Sequence, residues 1–303
     1  MIQKIIQPPY LKTGDVVAFV APSSNFDKNK LAKAVSYFES KGLKVEIGAT
    51  VSGKYNYFSG TDQERLQELQ YYFDNPNIKA IFCVRGGYGL SRIVDQIDFQ
   101  GFVKKPKWLI GFSDVCVLHW HIYSCFNMAT LHAPMANAFN QNETYYIETI
   151  FNALFGGKVT YKSYLHDFQK TGKVIAPVIG GNLAIITHLI GTKSFPNIDG
   201  KILFLEDVGE YLYNIDRMCW QLSRNGIFKK ISGLIWGGFS QLKDTNEPFG
   251  KTIYEILAEH SKDVNGPVAY NFPISHEVEN VSIKMGFLYE LDVSPEQVIL
   301  HEI

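Results

Sequence analysis

The sequence predicts an α/β protein: a mostly parallel sheet in the N-terminal half, in a chain long enough for a second domain behind it. Three observations predict it. Short apolar runs rich in β-branched residues alternate with helical patterns through the first half of the chain. Those runs stop at turn residues, as buried parallel strands do. The chain has 303 residues, more than one domain usually holds.

Val16 to Ala21 is an apolar run after Thr13-Gly14-Asp15 that ends at Pro22-Ser23-Ser24, which reads as the first strand. Asp27 to Lys41 reads as a helix with Leu31, Val35 and Phe38 on one side, and Gly42 stands where it would stop. Val45 to Gly48 is a second strand. Thr61-Asp62-Gln63-Glu64 has the pattern of a capping box, and Leu66, Leu69 and Phe73 supply the apolar face of the helix behind it. Ile78 to Val84 and Trp108 to Phe112 are the third and fourth strands, and Val115 to Phe126 is the helix after the last of them. In such sheets ligands bind beyond the carboxyl ends of the strands.

The pattern weakens from 156 to 178, which reads as a linker between an N-terminal domain (1–155) and a C-terminal domain (179–303). Order resumes at Gly180-Gly181-Asn182. Helices are expected over Leu183 to Ile190, Asp216 to Asn225 and Thr252 to His260. Strands are expected over Ile202 to Leu205 and Gly233 to Gly237, and the tail from Val268 reads as short strands.

Composition narrows the function. Hydrophobic residues make up 46% and charged residues 19%, the balance of a compact globular chain. A net charge of −1 lacks the positive field that nucleic acid requires, so no nucleic-acid partner is expected. No run reaches the roughly 18 apolar residues of a membrane span, and the start, Met1 to Pro9, shows no secretory h-region. Cys83, Cys116, Cys125 and Cys219 sit in apolar segments without CxxC spacing. They read as free buried thiols in a reducing compartment, with no metal site expected.

Four segments carry candidate chemistry. In Gly111-Phe112-Ser113-Asp114 a serine comes where a strand ends and a helix begins. Its hydroxyl would stand at the top of the sheet, beside helix N–H groups able to hold an oxyanion. The alternative is that Ser113 or Asp114 only caps the helix. Arg85-Gly86-Gly87-Tyr88-Gly89 follows another strand, and its glycines suit either an amide nest for an anion or a plain tight turn. The spacing is not that of a dinucleotide or Walker loop. Glu206-Asp207 ends a strand in two carboxylates. His276 lies in a turn-like stretch that suits an exposed imidazole. His132 could line a site, whereas His119, His121 and His188 fall inside helical segments. The chain order is then serine, acid, histidine, which satisfies triad logic.

These residues resemble the LD-carboxypeptidases of peptidase family S66, the muramoyltetrapeptide carboxypeptidases. The resemblance runs nearly end to end. It is carried by Leu11 to Asp15 with Val20 to Ser24, Gly60 to Arg65, Arg85 to Gly89, Ile110 to Asp114, Gly180 to Leu183, Leu205 to Asp207 and His276. It implies an N-terminal flavodoxin-like domain, a β-rich C-terminal domain, a cytoplasmic location and often a homodimer. It implies hydrolysis, without cofactor, of the amide between an L-centre and a terminal D-residue, with a murein tetrapeptide as substrate. Ser113 would be the nucleophile, His276 the base and Glu206 its orienting acid. The amides of Gly87 and Asp114 would hold the oxyanion, and Gly86, Tyr88, Asn182 and His132 would border the substrate. Three positions depart from the family pattern: Ser275 and Ala176 stand where glycine is usual, and Glu277 to Asn280 is unusually acidic.

Two other readings compete. A microcin-immunity-like relative would cleave peptidyl-nucleotide amides and would need an aromatic platform, for which Trp236 and Tyr211 are candidates. A non-catalytic small-molecule binding module would leave Ser113, Glu206 and His276 apart in space. Arg217, on a helix, reads as a structural ion-pair donor.

Overall fold

A computed structural model describes residues 5–141 and 143–303. Met1 to Lys4, part of the N-terminal stretch read above, lie outside the described residues.

The N-terminal sheet contains β1 (Val16–Val20), β2 (Lys44–Ile47), β3 (Ile78–Cys83), β4 (Trp108–Gly111) and β5 (Leu131–His132). All are parallel, in the order β5-β4-β3-β1-β2. That is the flavodoxin-like order, with its switch point between β1 and β3. The crossovers carry α1 (Ala32–Ser40), α2 (Asp62–Asp74), α3 (Gln100–Lys104) and α4 (Cys116–Phe126), and α5 (Tyr145–Leu154) follows β5. The capping box read from the sequence starts α2. The Thr61 N–H donates to Glu64 Oε2 at 2.8 Å, and the Glu64 N–H donates to Thr61 Oγ1 at 3.2 Å. Leu69 and Phe73 are buried beneath that helix.

The C-terminal sheet takes β6 (Thr160–Ser163), β7 (Gly172–Asn182), β8 (Ile202–Val208), β9 (Gly233–Ser240) and β10 (Val268–Ala269). Two further strands, β12 (Leu288–Val293) and β13 (Val298–Glu302), complete it. β7 to β10 run parallel, and β12, β13 and β6 extend the sheet antiparallel. Its helices are α6 (Leu183–Leu189), α7 (Leu212–Arg224), α8 (Ile227–Lys230) and α9 (Ile253–Ser261). The short strand β11 (Ile283–Lys284) leaves this unit and pairs antiparallel with β5, closing the edge of the first sheet.

The expected linker 156–178 differs from what is seen. It holds β6 and the first half of β7, both paired in the C-terminal sheet. The physical reason lies in exposure. The first residues of β7 and two of the four in β6 face solvent, so their sequence is polar. Their partners, β12 and β13, also come more than a hundred residues later. Cys125 differs as well: it is exposed, while Cys83, Cys116 and Cys219 are buried and all four are free.

The two units share one buried apolar cluster running from α4 into β7 and β8. The Trp120 indole N–H donates to the Gly180 carbonyl at 2.8 Å. A methyl group at Gly181 would lie 2.3 Å from Cys116 Sγ, so only glycine admits this approach. Among the described residues no helix is long and apolar enough to cross a membrane.

Candidate active site

β4 ends at Gly111, and Ser113 then adopts φ +62°, in the left-handed region. For a residue other than glycine that conformation costs roughly 1–2 kcal/mol. The backbone here is therefore held by its surroundings, as in a strained strand-to-helix nucleophile turn. The Ser113 hydroxyl caps neither the 3₁₀ turn that it opens nor α4 behind it. The His119 Nε2–H donates to the Gly111 carbonyl at 2.8 Å, fastening α4 to the strand end from below.

The glycine loop leaves β3 beside this turn. A methyl on Gly86 would meet Ser113 Cβ at 2.8 Å, Ser113 Oγ at 3.0 Å and the Asp114 amide nitrogen at 3.2 Å. Gly87 has φ +102° and packs on Ser24, whose hydroxyl donates to the Gly86 carbonyl at 2.7 Å. The fully buried Arg65 guanidinium donates to Pro22 O at 2.7 Å and Gly89 O at 3.1 Å. The Asp114 carboxylate accepts from Ser23 Oγ at 2.6 Å and the Leu90 N–H at 3.0 Å. Burial raises the pKa of this carboxyl group although both bonds oppose the shift. The loops after β1, β3 and β4 are thus tied together at the switch point of the sheet.

The C-terminal unit supplies the other half. Glu206, in β8, is fully buried, and the strand pairing with β9 slips beside it between Leu205 and Asp207. Gly237 and Gly238 occupy that bulge. Side chains there would collide with Ile274 O and Ser275 Cβ, so the segment bearing His276 lies directly over Glu206. His276 Nδ1 is 2.6 Å from Glu206 Oε2. The Nδ1–H is the donor to the carboxylate, which leaves Nε2 as the free acceptor. Burial disfavours the imidazolium, but the charge and hydrogen bond of Glu206 outweigh it, and the His276 pKa is raised above 6.5. Asp207 is held differently. Burial and the Glu206 charge push its carboxyl up to about 7, against bonds from Asn182, Val208 and Ala184.

Both halves meet in a cavity of about 500 Å³ lined by Arg85, Gly86, Gly87, Phe112 and Ser113 on one side. Val208, Gln241, His276, Glu277 and Val278 line the other. Phe112 and His276 have ring centroids 4.7 Å apart. Ser113 and His276 therefore share one cavity, with Glu206 buried behind the imidazole. Gly86 and Gly87 are on the wall, while the Asp114 carboxylate is turned inward to the loops it ties.

Three expected contact residues are not on that wall. Asn182 is buried; its Oδ1 caps α6 through the Ile185 N–H at 3.1 Å and its amide donates to Asp207 at 2.8 Å. His132 is buried between the rings of Phe112 and Phe204, at 5.7 and 5.0 Å. Burial, reinforced by His119 and His276, holds its pKa well below the usual value. Tyr88 is exposed and stands beside Phe58 instead. Trp236 is fully buried with its indole N–H on Ser261 Oγ, and Tyr211 packs at a tilt against Tyr213, off the cavity wall. Arg217 lies over the Tyr213 ring and donates to Asn214, so it forms no ion pair among the described residues. Sequence reasoning overlooked Arg65, the Asp114 carboxylate and the glycine pair 237–238 as supports. Residue type alone does not separate a buried, loop-bridging arginine from a solvated one. Among the described residues no group of three or more His, Cys, Asp or Glu side chains is placed to hold a metal ion.

Comparison with known proteins agrees with this architecture. Residues 17–133 match the LD-carboxypeptidase N-terminal domain and residues 176–291 the LD-carboxypeptidase C-terminal domain. A probable murein peptide carboxypeptidase of Bacillus subtilis is 29% identical over 97% of this chain and 94% of its own. The murein tetrapeptide carboxypeptidase of Pseudomonas aeruginosa is 28% identical over 87% of this chain and 89% of its own. The microcin C7 self-immunity protein MccF of Escherichia coli is 27% identical over 96% of this chain and 94% of its own. The crystal structure of muramoyltetrapeptide carboxypeptidase from Oxalobacter formigenes superposes with a TM-score of 0.86 at 26% identity, covering 95% of this chain and 98% of that one. With both halves matched in the family's own order, the chain belongs to the LD-carboxypeptidase family.

Proposed function

We propose that the protein is a serine-type LD-carboxypeptidase that removes the terminal D-alanine of a murein tetrapeptide, in peptidoglycan recycling. The observation that carries this reading is the 2.6 Å bond between His276 Nδ1 and Glu206, in a cavity whose wall also bears Ser113 at φ +62°. Ser113 Oγ attacks the carbonyl carbon of the amide between the L-centre and D-alanine, and His276 Nε2 takes its proton. The tetrahedral oxyanion lies between the amides of Gly87 and Asp114, each contributing roughly 3–4 kcal/mol of transition-state stabilisation. His276 then gives the proton to the departing amine, leaving an acyl ester on Ser113. Water, deprotonated by the same imidazole, hydrolyses that ester. Glu206 fixes the tautomer and stabilises the imidazolium. Arg85, the one guanidinium among the described lining residues, supports an exopeptidase reading by offering a charge for the substrate's free carboxylate. Hydrolytic steps of this kind need no cofactor.

The four free cysteines support a reducing, cytoplasmic setting. A homodimer follows from the family resemblance, and sedimentation analysis tests it. The peptidyl-nucleotide alternative has less support, because Trp236 and Tyr211, its candidate platforms, are off the cavity wall. The test is release of D-alanine from L-Ala-γ-D-Glu-meso-diaminopimelyl-D-Ala, wild type against Ser113→Ala. Release by the wild type and its loss in the variant is the expected result. No release by folded wild type, together with cleavage of a peptidyl-nucleotide, would overturn the reading in favour of the alternative.

A further inference from the structure

We propose that Glu277 is a specificity-determining residue, selecting substrates whose third residue carries a side-chain ammonium group. The inference rests on the carboxypeptidase reading and assigns the residue that meets the third side chain. Glu277 follows His276 directly and lies on the same cavity wall. It is the one carboxylate among the described lining residues, since Glu206 is sealed behind the imidazole. Its side chain is exposed and makes no ion pair or hydrogen bond among the described residues, so the charge is available to a ligand.

The loop that presents it is braced. Ser275 is buried, its hydroxyl donates to the Glu279 carbonyl at 2.8 Å, and it accepts the Glu277 N–H at 3.0 Å. Ser275 Cβ also packs against Gly238, where a methyl group would come within 2.5 Å. Ser275 therefore fixes the backbone of the acidic loop, and with it the origin of the Glu277 side chain.

Charge placement gives the direction. Arg85 and the glycine loop form the wall contributed by the N-terminal sheet, and the His276–Asn280 loop forms the facing wall. With the scissile carbonyl at Ser113 and the terminal carboxylate directed to Arg85, the residue on the acyl side lies over the facing wall. Val208, Gln241, Val278 and Asn280 there are neutral, so Glu277 is the charge that its side chain meets. A carboxylate on a partly open wall attracts an ammonium and repels an acid. Lysine and diaminopimelate both carry such a group.

The test uses three tetrapeptides differing only in the third residue: L-lysine, meso-diaminopimelate and norleucine. Wild type is expected to show kcat/KM for at least one ammonium-bearing peptide roughly tenfold above that for norleucine, a gap that narrows as salt rises. Because the Glu277 charge also acts on His276, Glu277→Gln is expected to close the gap by lowering kcat/KM for the ammonium-bearing substrates more than for norleucine. A gap for lysine alone assigns the site to a lone ammonium. A gap for diaminopimelate as well means that its neighbouring carboxylate is tolerated. Equal kcat/KM on all three peptides, or an equal fall on all three in Glu277→Gln, overturns the inference alone. Absence of D-alanine release from every peptide overturns the carboxypeptidase reading and this inference with it.

Discussion

At the scale of the residue, Ser113 separates two explanations that the sequence left open. An N-cap serine replaced by alanine costs about 1 kcal/mol. The Ser113 hydroxyl caps no helix, so Ser113→Ala is expected to leave the denaturation midpoint within about 0.5 kcal/mol of wild type. Activity in the same variant should fall by at least about 10³-fold, read as D-alanine release. As the proposed base, His276 sets the pH profile. Its pKa is raised above 6.5, because the Glu206 charge and bond outweigh desolvation. A general base must be neutral, so kcat/KM should decline as pH falls through a value above 6.5. Glu206→Gln should move that acid limb to lower pH and reduce kcat by roughly 10³–10⁴-fold. The sign for stability is the opposite. The fold favours the imidazolium, so this contribution is full below the unfolded value of about 6.5 and is lost as pH rises through the raised pKa.

At the scale of the element, catalysis depends on loops held from outside the reacting groups. The glycine loop after β3 is fastened by Ser24, Arg65 and Asp114, none of which belongs to the proposed triad. Gly86 presses on Ser113 and the Asp114 amide, so Gly86→Ala should displace the nucleophile by a few tenths of an ångström or more. A loss of about 10²-fold in kcat is expected, with a lowered thermal midpoint, because the added methyl collides with Ser113 Cβ and crowds the Asp114 amide. Removing the Arg65 guanidinium is different in kind. Arg65→Met leaves Pro22 O and Gly89 O without their donor and should cost about 2–4 kcal/mol, read from chemical denaturation. The legible parts at this scale were the parallel strands and the α2 capping box, whose signals are local. The bulge at Gly237-Gly238 was not legible, because its reason is the approach of Ile274 and Ser275 from a distant segment.

At the scale of the whole molecule, the two units are joined by more than a connection. Trp120 and Cys116 pack on Gly180-Gly181, one apolar cluster spans both, and β11 completes the first sheet from the far end of the chain. The full chain should therefore unfold in a single calorimetric transition. The fragment 1–155, lacking β11 and the surface that covers α4, should show no cooperative transition of its own. Two separate transitions in the full chain would contradict this coupling. In the proposed mechanism the coupling has a functional meaning, since Ser113 lies in one unit and Glu206 and His276 in the other. Their mutual geometry is only as fixed as the interface between the units.

The sequence by itself determined what depends on near neighbours. Alternating apolar runs and helical faces specify the α/β class, a short-range capping pattern starts α2, and a serine between strand and helix marks a candidate nucleophile. It also brought out the serine, acid, histidine order. Tertiary structure decided what depends on residues far apart. It turned 156–178 from an expected linker into strands, because their partners lie at the other end of the chain. It drew Asn182, His132 and Tyr88 away from the cavity wall and brought Arg85 and Glu277 onto it. A side chain's burial and partner are set by which segments pack together, and that information is spread over the whole chain rather than held in any local window.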